Sequence, residues 1–584
     1  MNPSPRMPAM EAIVRVLESE GVDTVFGIPG AAILPFYKAL IDSSIRHITV
    51  RHEEGGTHAA DGYSRATGKI GVCAGTSGPA GTNMVTGLYT AIADSVPILT
   101  ITGQVPVDQL DREGFQAVNI AEIVRPVVKK SYLVSQAAQL PWVFREAFQI
   151  MRSGRPGPVH IDLPVDVQQE LITYDPEADA PLPVHRQAPH PAAVERALDL
   201  LLEAERPLLM PGGGVITAEA SDVLVELAEL LQIPVLPTLM GWGAIPNDHP
   251  LYVGLAGIQT QTRAGNAALL ESDLVLAVGA RFAERHIGDL EVYTRGRRFI
   301  HIDVEPTQLG KVLSPDLGIV ADARLALEAL LEAARQRVGR RDTSWWAARV
   351  PERREQLARR TDYDDVPIKP QRVFREVNEF FDADTVFVTA IGLYQIWSGQ
   401  FQEVYQPRHY LICGQAGPLG WEIPACIGVK MAQPDKAVVG VVGDYSFQFL
   451  MEEVAVACQY EVAFVLVMLN NAYLGLIRQA ELKFEMSHGV DIAFDDSYGI
   501  DHVKVIEGMG AFGRRVSEPE EIASALAWAT ETAERQRRPV LLVVLVAREA
   551  NAAMGPALDA IKEWEPADAG DPVGTGATKA AVGD

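Results

Sequence analysis

Ala437-Val438-Val439-Gly440-Val441-Val442 running into Gly443-Asp444-Tyr445-Ser446, then a helical segment, then Ala463-Phe464-Val465-Leu466-Val467-Met468-Leu469 running into Asn470-Asn471-Ala472-Tyr473, is the stretch that decides the fold. Both apolar runs have the length and unbroken hydrophobicity of parallel strands covered on both faces. With the helix between them they make one βαβ unit. Ligands of such units sit beyond the carboxyl ends of the strands, which puts Asp444 and Asn471 at one crevice. A carboxylate, an amide oxygen and a nearby backbone carbonyl are the hard oxygen donors that Mg²⁺ takes beside phosphate oxygens and water. The pairing predicts a metal-held diphosphate.

Composition sets the frame for that unit. At 584 residues the chain exceeds one core, and about 150 residues per domain suggests three or four domains. Hydrophobic residues make up 48% of the chain and mean hydropathy is +0.06, a balance without membrane bias. The longest apolar run, Val540 to Ala547, falls far short of the ~20 residues of a spanning helix. Met1-Asn2-Pro3-Ser4-Pro5-Arg6 has no basic region followed by an apolar stretch, so no signal peptide is expected. Cys73, Cys413, Cys426 and Cys458 contain no Cys-x-x-Cys pair, which argues against a disulfide scaffold or zinc site and fits a reduced cytoplasm. A net charge of −25 argues against nucleic-acid and anionic-membrane partners.

Strand, turn and helix signals alternate along the chain and predict an α/β protein of three doubly wound parallel-sheet domains. The first spans 1–185. In it, Thr24 to Gly27 reads as a strand, Arg51-His52-Glu53-Glu54-Gly55 as a strand-to-helix junction, Gly71 to Ala74 as a strand, and Thr76 to Thr82 as a Gly-rich turn opening a helix. Glu53 and Glu54 taken alone suit a helix N-terminus. A Pro-rich linker from Ala180 to Pro191 precedes the second domain, 192–345, whose Gly212-Gly213-Gly214 alone is no more than a turn. A charged, Trp-bearing helical linker over 340–365 leads to the third domain, 366–550. The remainder, 551–584, reads as a tail, disordered over its Gly/Ala/Asp-rich part from Ala567. No strong sequence repeat relates the first and third domains.

Gly443-Asp444 followed by Asn470-Asn471 is similar to the thiamine-diphosphate (ThDP) signature, and the order of motifs resembles the acetohydroxyacid synthase superfamily. The phrases Gly75 to Asn83, Pro237 to Gly243, Cys413 to Trp421, Asn470 to Gln479 and Tyr498 to Lys504 resemble the glyoxylate carboligase family, with similarity over roughly 8–560. The resemblance implies pyrimidine-binding, central FAD-binding and diphosphate-binding domains, in that order. It assigns Mg²⁺ to the Asp444 and Asn471 side chains and the Tyr473 carbonyl. It assigns ThDP to Gly392, Leu393, Tyr394, Gln395, Gln415, Gly443, Asp444, Tyr445, Ser446, Asn471, Tyr473, Leu474 and Gly475, with Leu419 as the wedge that bends the cofactor. Glu53 becomes the acid beside the aminopyrimidine, general acid/base work passed through a cofactor. Phe115 and Gln116 lie by the cofactor in a substrate channel, and His52 and Arg478 are polar candidates without a role. FAD, held without redox work, falls to Gly212, Gly213, Thr238, Leu239, Met240, Gly279, Arg281, Arg285, Asp303 and Asp322.

The implied reaction decarboxylates glyoxylate and joins the remaining carbon to a second glyoxylate, giving tartronate semialdehyde and CO₂. The alternative is an acetohydroxyacid (acetolactate) synthase or another 2-oxo acid carboligase or decarboxylase. A catalytically silent scaffold is a third reading, but it would have no need of Glu53. Two positions depart from the glyoxylate carboligase pattern: Glu53 stands where that family carries valine, and Leu482 where it usually has arginine. An arginine fork binds a carboxylate bidentately, and leucine cannot. The resemblance also implies a homodimer or homotetramer with each site shared between two chains.

Overall fold

In the N-terminal third, β1 (Thr24–Gly27), β2 (Arg46–Thr49), β3 (Gly71–Gly75), β4 (Ile98–Gln104), β5 (Lys130–Leu133) and β6 (Val159–Pro164) make a six-stranded parallel sheet in the order β2-β1-β3-β4-β6-β5. The central part holds β7 (Pro207–Pro211), β8 (Leu274–Val278), β9 (Arg298–Asp303) and β10 (Leu317–Val320), parallel in the order β10-β9-β8-β7. The C-terminal third holds β11 (Val386–Thr389), β12 (Tyr410–Ile412), β13 (Val438–Gly443), β14 (Val465–Asn470), β15 (Phe512–Val516) and β16 (Val540–Leu545), ordered β12-β11-β13-β14-β16-β15. The first and last sheets thus have the same strand order. The computed structural model describes residues 6–338, 341–486, 489–494 and 497–563.

Every residue of β13 and β14 is buried, as their unbroken apolar sequences require of strands sandwiched between helices. Gly443 pairs with Leu469 across the two strands, so Asp444 and Asn470-Asn471 emerge side by side. Strand order reverses between β11 and β13, which opens a crevice between the chain after Thr389 and the chain after Gly443.

Five helices position the site: α1 (Glu53–Thr67), α2 (Val85–Asp94), α3 (Glu422–Ala432), α4 (Glu453–Gln459) and α5 (Gly475–Lys483). Residues Gly55 to Ala66 of α1 are all buried, the pattern of a helix enclosed on every side. Its partner is α3 of the C-terminal domain, and glycines let the two backbones touch. A Cβ on Gly62 would lie 2.6 Å from the Ala425 carbonyl oxygen, and one on Gly428 would lie 1.9 Å from that of Ala59. One apolar core, running from Phe26 and Ile48 to Trp421 and Val454, therefore spans both domains.

The segment after Ala550, counted with the tail on sequence grounds, is packed as far as it is described. Ala552, Ala553, Ala557 and Leu558 are buried, Gly555 N donates to Ile258 O (3.2 Å), and Glu563 pairs with Arg263 (3.1 Å) and Arg359 (3.0 Å). Small alanines let this strand-less chain lie flat against the central domain. The part of the tail from Ala567, expected to be disordered, lies outside the described residues, as do Met1 to Pro5. In the 340–365 linker the helix Trp345–Gln356 buries Trp346 and Val350 and exposes Trp345. No helix among the described residues is long and apolar enough to cross a membrane.

Candidate active site

At the crevice Asp444 is 3% exposed, and its Oδ2 has no hydrogen-bond partner. Burial pushes its carboxyl up to about 7, against the lowering effect of nearby backbone N–H groups including those of Asn471 and Ala472. A buried carboxylate with an orphaned oxygen is suited to a cation. Asn471, also buried, holds its Oδ1 3.3 Å from Tyr473 N, and Asn470 Oδ1 accepts from Ala472 N (3.0 Å). The turn passes through Ala472 at φ +52°, a left-handed geometry. The guanidinium groups of Arg548 and Arg478 lie 4.1 and 4.6 Å from the Tyr473 ring centroid, fixing the ring. Among the described residues no three His, Cys, Asp or Glu side chains form a metal-binding group. The donors the crevice offers are the Asp444 carboxylate and the Asn471 amide oxygen, which fit Mg²⁺.

Two glycines clasp Tyr394 at the switch point. A Cβ on Gly392 would lie 2.4 Å, and one on Gly443 2.7 Å, from the Tyr394 ring. The Tyr394 hydroxyl is turned down to Glu422 Oε1 (3.1 Å), whose carboxyl burial pushes up to about 7. What 392–395 presents to the crevice at Tyr394 is thus backbone. Gly475 adjoins Asn471 Nδ2 and Leu393, each 2.7 Å from where its Cβ would be, which brings these three expected residues together. Gly420 N donates to Ser446 Oγ (2.9 Å), which anchors the loop carrying half-buried Leu419 to the turn after Asp444. Gln395 and Gln415 instead line a large cleft against the central domain.

On the N-terminal side, Glu53 opens α1, and His52 Nδ1 caps that helix by accepting from Glu54 N (3.1 Å). Glu53 is 9% exposed, and its Oε2 accepts from Asn83 Nδ2 (2.9 Å). Two partners of this region were not singled out from sequence. Asn83 ends the short helix Pro79–Asn83 that the Gly-rich turn opens. Glu453, the first residue of α4, accepts from Arg51 N and His52 N (2.9 Å each) through Oε1, while its Oε2 is orphaned. Burial pushes the Glu453 carboxyl up to about 7. Gly55 makes room for this carboxyl, since a Cβ there would lie 2.4 Å from Glu453 Oε1. The acidic pair Glu452-Glu453 before Val454 to Ala457 gives no sign of which carboxylate turns inward.

Gln116, at φ +60°, lies against the Gly-rich turn: a Cβ on Gly78 would be 2.8 Å from its carbonyl oxygen. Gln104 closes that loop, its amide donating to Val118 O (2.8 Å) and Asp162 (3.0 Å). Phe115 is 87% exposed. No hydrogen bond or ion pair among the described residues joins Glu53, Phe115 or Gln116 to Leu419, Asp444 or Asn471. Leu482 projects from α5 and is exposed, and Arg478 pairs with Glu549.

A cleft of about 1100 Å³ lies where the three domains meet, slightly above the usual 300–1,000 Å³ of small-molecule sites. Gly213, Thr238, Leu239, Met240, Gly279, Arg281, Arg285, Asp303 and Asp322 line it, whereas Gly212 lies beneath. The turn at Gly212 crosses Gly279 (φ +59°): a Cβ on Gly212 would be 2.2 Å from the Gly279 carbonyl oxygen. That crossing leaves an open floor of backbone. Arg281 and Arg285 offer cations for a diphosphate, and Arg155, from the turn after Ser153 and not anticipated, adds a third. Burial raises the Asp303 carboxyl. Asp322 is already committed, its Oδ1 capping the following helix at Arg324 N (3.0 Å) and Leu325 N (3.2 Å). The donors fit a dinucleotide.

Residues 7–123 match the thiamine pyrophosphate enzyme N-terminal TPP binding domain, 194–330 the central domain, and 390–544 the C-terminal TPP binding domain. A glyoxylate carboligase of Escherichia coli O157:H7 is 51% identical over 96% of both chains. A probable acetolactate synthase large subunit of Methanocaldococcus jannaschii is 38% identical over 92% of both. An acetolactate synthase large subunit of Corynebacterium glutamicum is 37% identical over 93% of this chain and 88% of its own. With matched domains in the same order and a crevice built of Asp444 and Asn471, the chain belongs to the thiamine pyrophosphate enzyme family that includes glyoxylate carboligase and the acetolactate synthases.

Proposed function

We propose that the protein is a ThDP-dependent carboligase that decarboxylates glyoxylate and joins it to a second glyoxylate, releasing tartronate semialdehyde and CO₂. The observation that carries this reading is the full-length likeness to the E. coli glyoxylate carboligase, at an identity well above that of the acetolactate synthases. Asp444, Asn471 and the Tyr473 carbonyl hold Mg²⁺. Backbone of Gly392 to Gln395 and of Gly443 to Ser446, with Leu474 and Gly475, receives the diphosphate. When bound, ThDP supplies the electron sink for loss of CO₂. Leu419 wedges beneath it. Glu53, its Oε2 held by Asn83, would stand beside the aminopyrimidine as the acid that holds its proton. Phe115 and Gln116 border the approach of the substrate. FAD occupies the central cleft on the glycine floor, beside the arginines, without redox work.

The site lies between chains, Glu53 of one facing Leu419 and Asp444 of the other, in a homodimer or homotetramer. The exposure of Phe115 supports this. Four cysteines, all unpaired, favour a cytoplasmic setting. Purified protein given ThDP, Mg²⁺, FAD and glyoxylate is expected to release CO₂ and form tartronate semialdehyde; neither appearing would reject the assignment. Glu53 and the exposed Leu482 favour a second reading, acetolactate synthesis from pyruvate. In a competition of glyoxylate, pyruvate and glycolaldehyde, acetolactate as the main product by NMR would select it.

A further inference from the structure

We infer that Asp94 is a positioning residue that ties the loop carrying Leu419 to whatever fills the central cleft, acting through Arg281; this rests on the ThDP and FAD reading above. Asp94 ends α2, and its side chain is wholly inaccessible. Its Oδ2 accepts from Gly414 N (2.7 Å) and pairs with Arg65 Nη2 (3.1 Å). Its Oδ1 accepts from Gln415 N (3.1 Å) and pairs with Arg281 Nη2 (3.2 Å). One buried carboxylate thereby joins all three domains.

Arg65 completes the grip. Its Nη1 donates to Ile412 O (2.6 Å), its Nε pairs with Asp61 (2.8 Å), and its guanidinium stands 5.3 Å from the Trp421 ring centroid. The loop from Ile412 to Trp421 is therefore held at both ends, with Leu419 between. Charge balance makes Arg281 necessary. Asp61 and Asp94 are two buried carboxylates, Arg65 neutralises one of them, and Arg281 supplies the second cation; an uncompensated buried charge is costly.

Arg65, Asp94 and Arg281 all border the cleft, and of the three side chains that of Arg281 is the most open, 26% exposed against 6% and 0%, with its Nη1 on Ala93 O. An anionic occupant of the cleft removes rotamer freedom from Arg281, and the ordering then need not be supplied again when ThDP fixes the Leu419 loop. The two sites become positively coupled with no change of fold.

The test measures linkage on the full chain. ThDP affinity with Mg²⁺ is read from tryptophan fluorescence at zero and saturating FAD, and FAD affinity is read with and without ThDP. In the unmodified protein each cofactor is expected to tighten the other by the same factor, about tenfold. Asp94→Asn is expected to bind both cofactors with linkage below about twofold, and to lose about tenfold in kcat while KM for glyoxylate moves less than about threefold. Should Asn fail to fold, Asp94→Glu keeps the charge but displaces it by one methylene, and is expected to cut linkage below about threefold. Linkage below about twofold in the unmodified protein, or full linkage in either variant, overturns the inference. Failure of FAD to bind at all overturns the cleft reading and this inference with it; binding of both cofactors independently overturns this inference alone.

Discussion

Glu53 is held from two directions. Asn83 donates to its Oε2, and Glu453 takes the two backbone N–H groups just before it, Arg51 and His52, so acid and helix start are both fixed. Glu53→Gln keeps an acceptor for Asn83 but no transferable proton. It should lower kcat about 10²–10⁴-fold, the usual worth of a positioned acid/base, with ThDP affinity nearly unchanged. Steady-state kinetics beside a fluorescence titration check this, and undiminished turnover would remove Glu53 from the proton path. Glu453 bears on stability. Burial raises its carboxyl from the ordinary 4.5 to about 7, so the folded protein holds that proton more tightly than the unfolded chain does. The favourable contribution is complete below about 4.5 and is lost as pH rises through about 7. Glu453→Gln keeps an oxygen for Arg51 N and His52 N and does not titrate. Its melting temperature relative to the unmodified protein should therefore improve between pH 5 and about pH 7 and level off above that, as scanning fluorimetry at a series of pH values would show; a constant difference would contradict the argument.

The crossing of α1 and α3 places Glu53, and it rests on absent side chains. Gly428→Ala sets a methyl 1.9 Å from the Ala59 carbonyl oxygen, and backbone on both sides leaves no flexible group to give way. Forcing the helices apart costs about 1–3 kcal/mol and should lower both the melting temperature and kcat, since α1 carries the acid. Gly508 provides the contrast: it ends a helix with nothing within 4 Å of its would-be Cβ. Gly508→Ala should leave activity intact and stability equal or slightly raised, by about 0.5–1 kcal/mol. A melt in which the two variants behave alike would refute the packing account. Sequence could show part of this. Apolar runs such as Val438 to Val442 and Val465 to Leu469 announce buried parallel strands because each run must satisfy two covering layers. Asp444 and Asn471 were legible because both sit immediately past such runs. Glu453 and Asn83 were not, because their roles arise from segments far away along the chain. The packing of 551–563 was hidden too, because alanines that fill a shallow surface look like those of a solvated tail.

At the scale of the molecule, the first and last sheets repeat one strand order, β2-β1-β3-β4-β6-β5 and β12-β11-β13-β14-β16-β15, although no sequence repeat links them. Topology is set by where crossovers return, and many sequences satisfy the same crossovers. Each sheet has its own reversal of strand order, and the candidate residues divide between the two: Glu53 with Gln116 on one, Asp444 with Asn471 and Leu419 on the other. Under the proposed reading, a two-fold axis brings Glu53 of one chain to Leu419 and Asp444 of another. That geometry makes a sharp prediction about mixed dimers. Glu53→Gln disables the acid, Asp444→Ala disables the metal end, and each alone should be nearly inactive. In a heterodimer of the two, both lesions fall on one site and the second site is intact. Random pairing makes half the dimers mixed, each with one working site of two, so co-expressed variants should recover about a quarter of the unmodified activity. If each site were built within a single chain, every site in the mixture would carry one lesion and activity would stay at the level of the single variants. Assay of doubly tagged, tandem-purified heterodimers decides between the two geometries, with half of full activity expected for the pure mixed species.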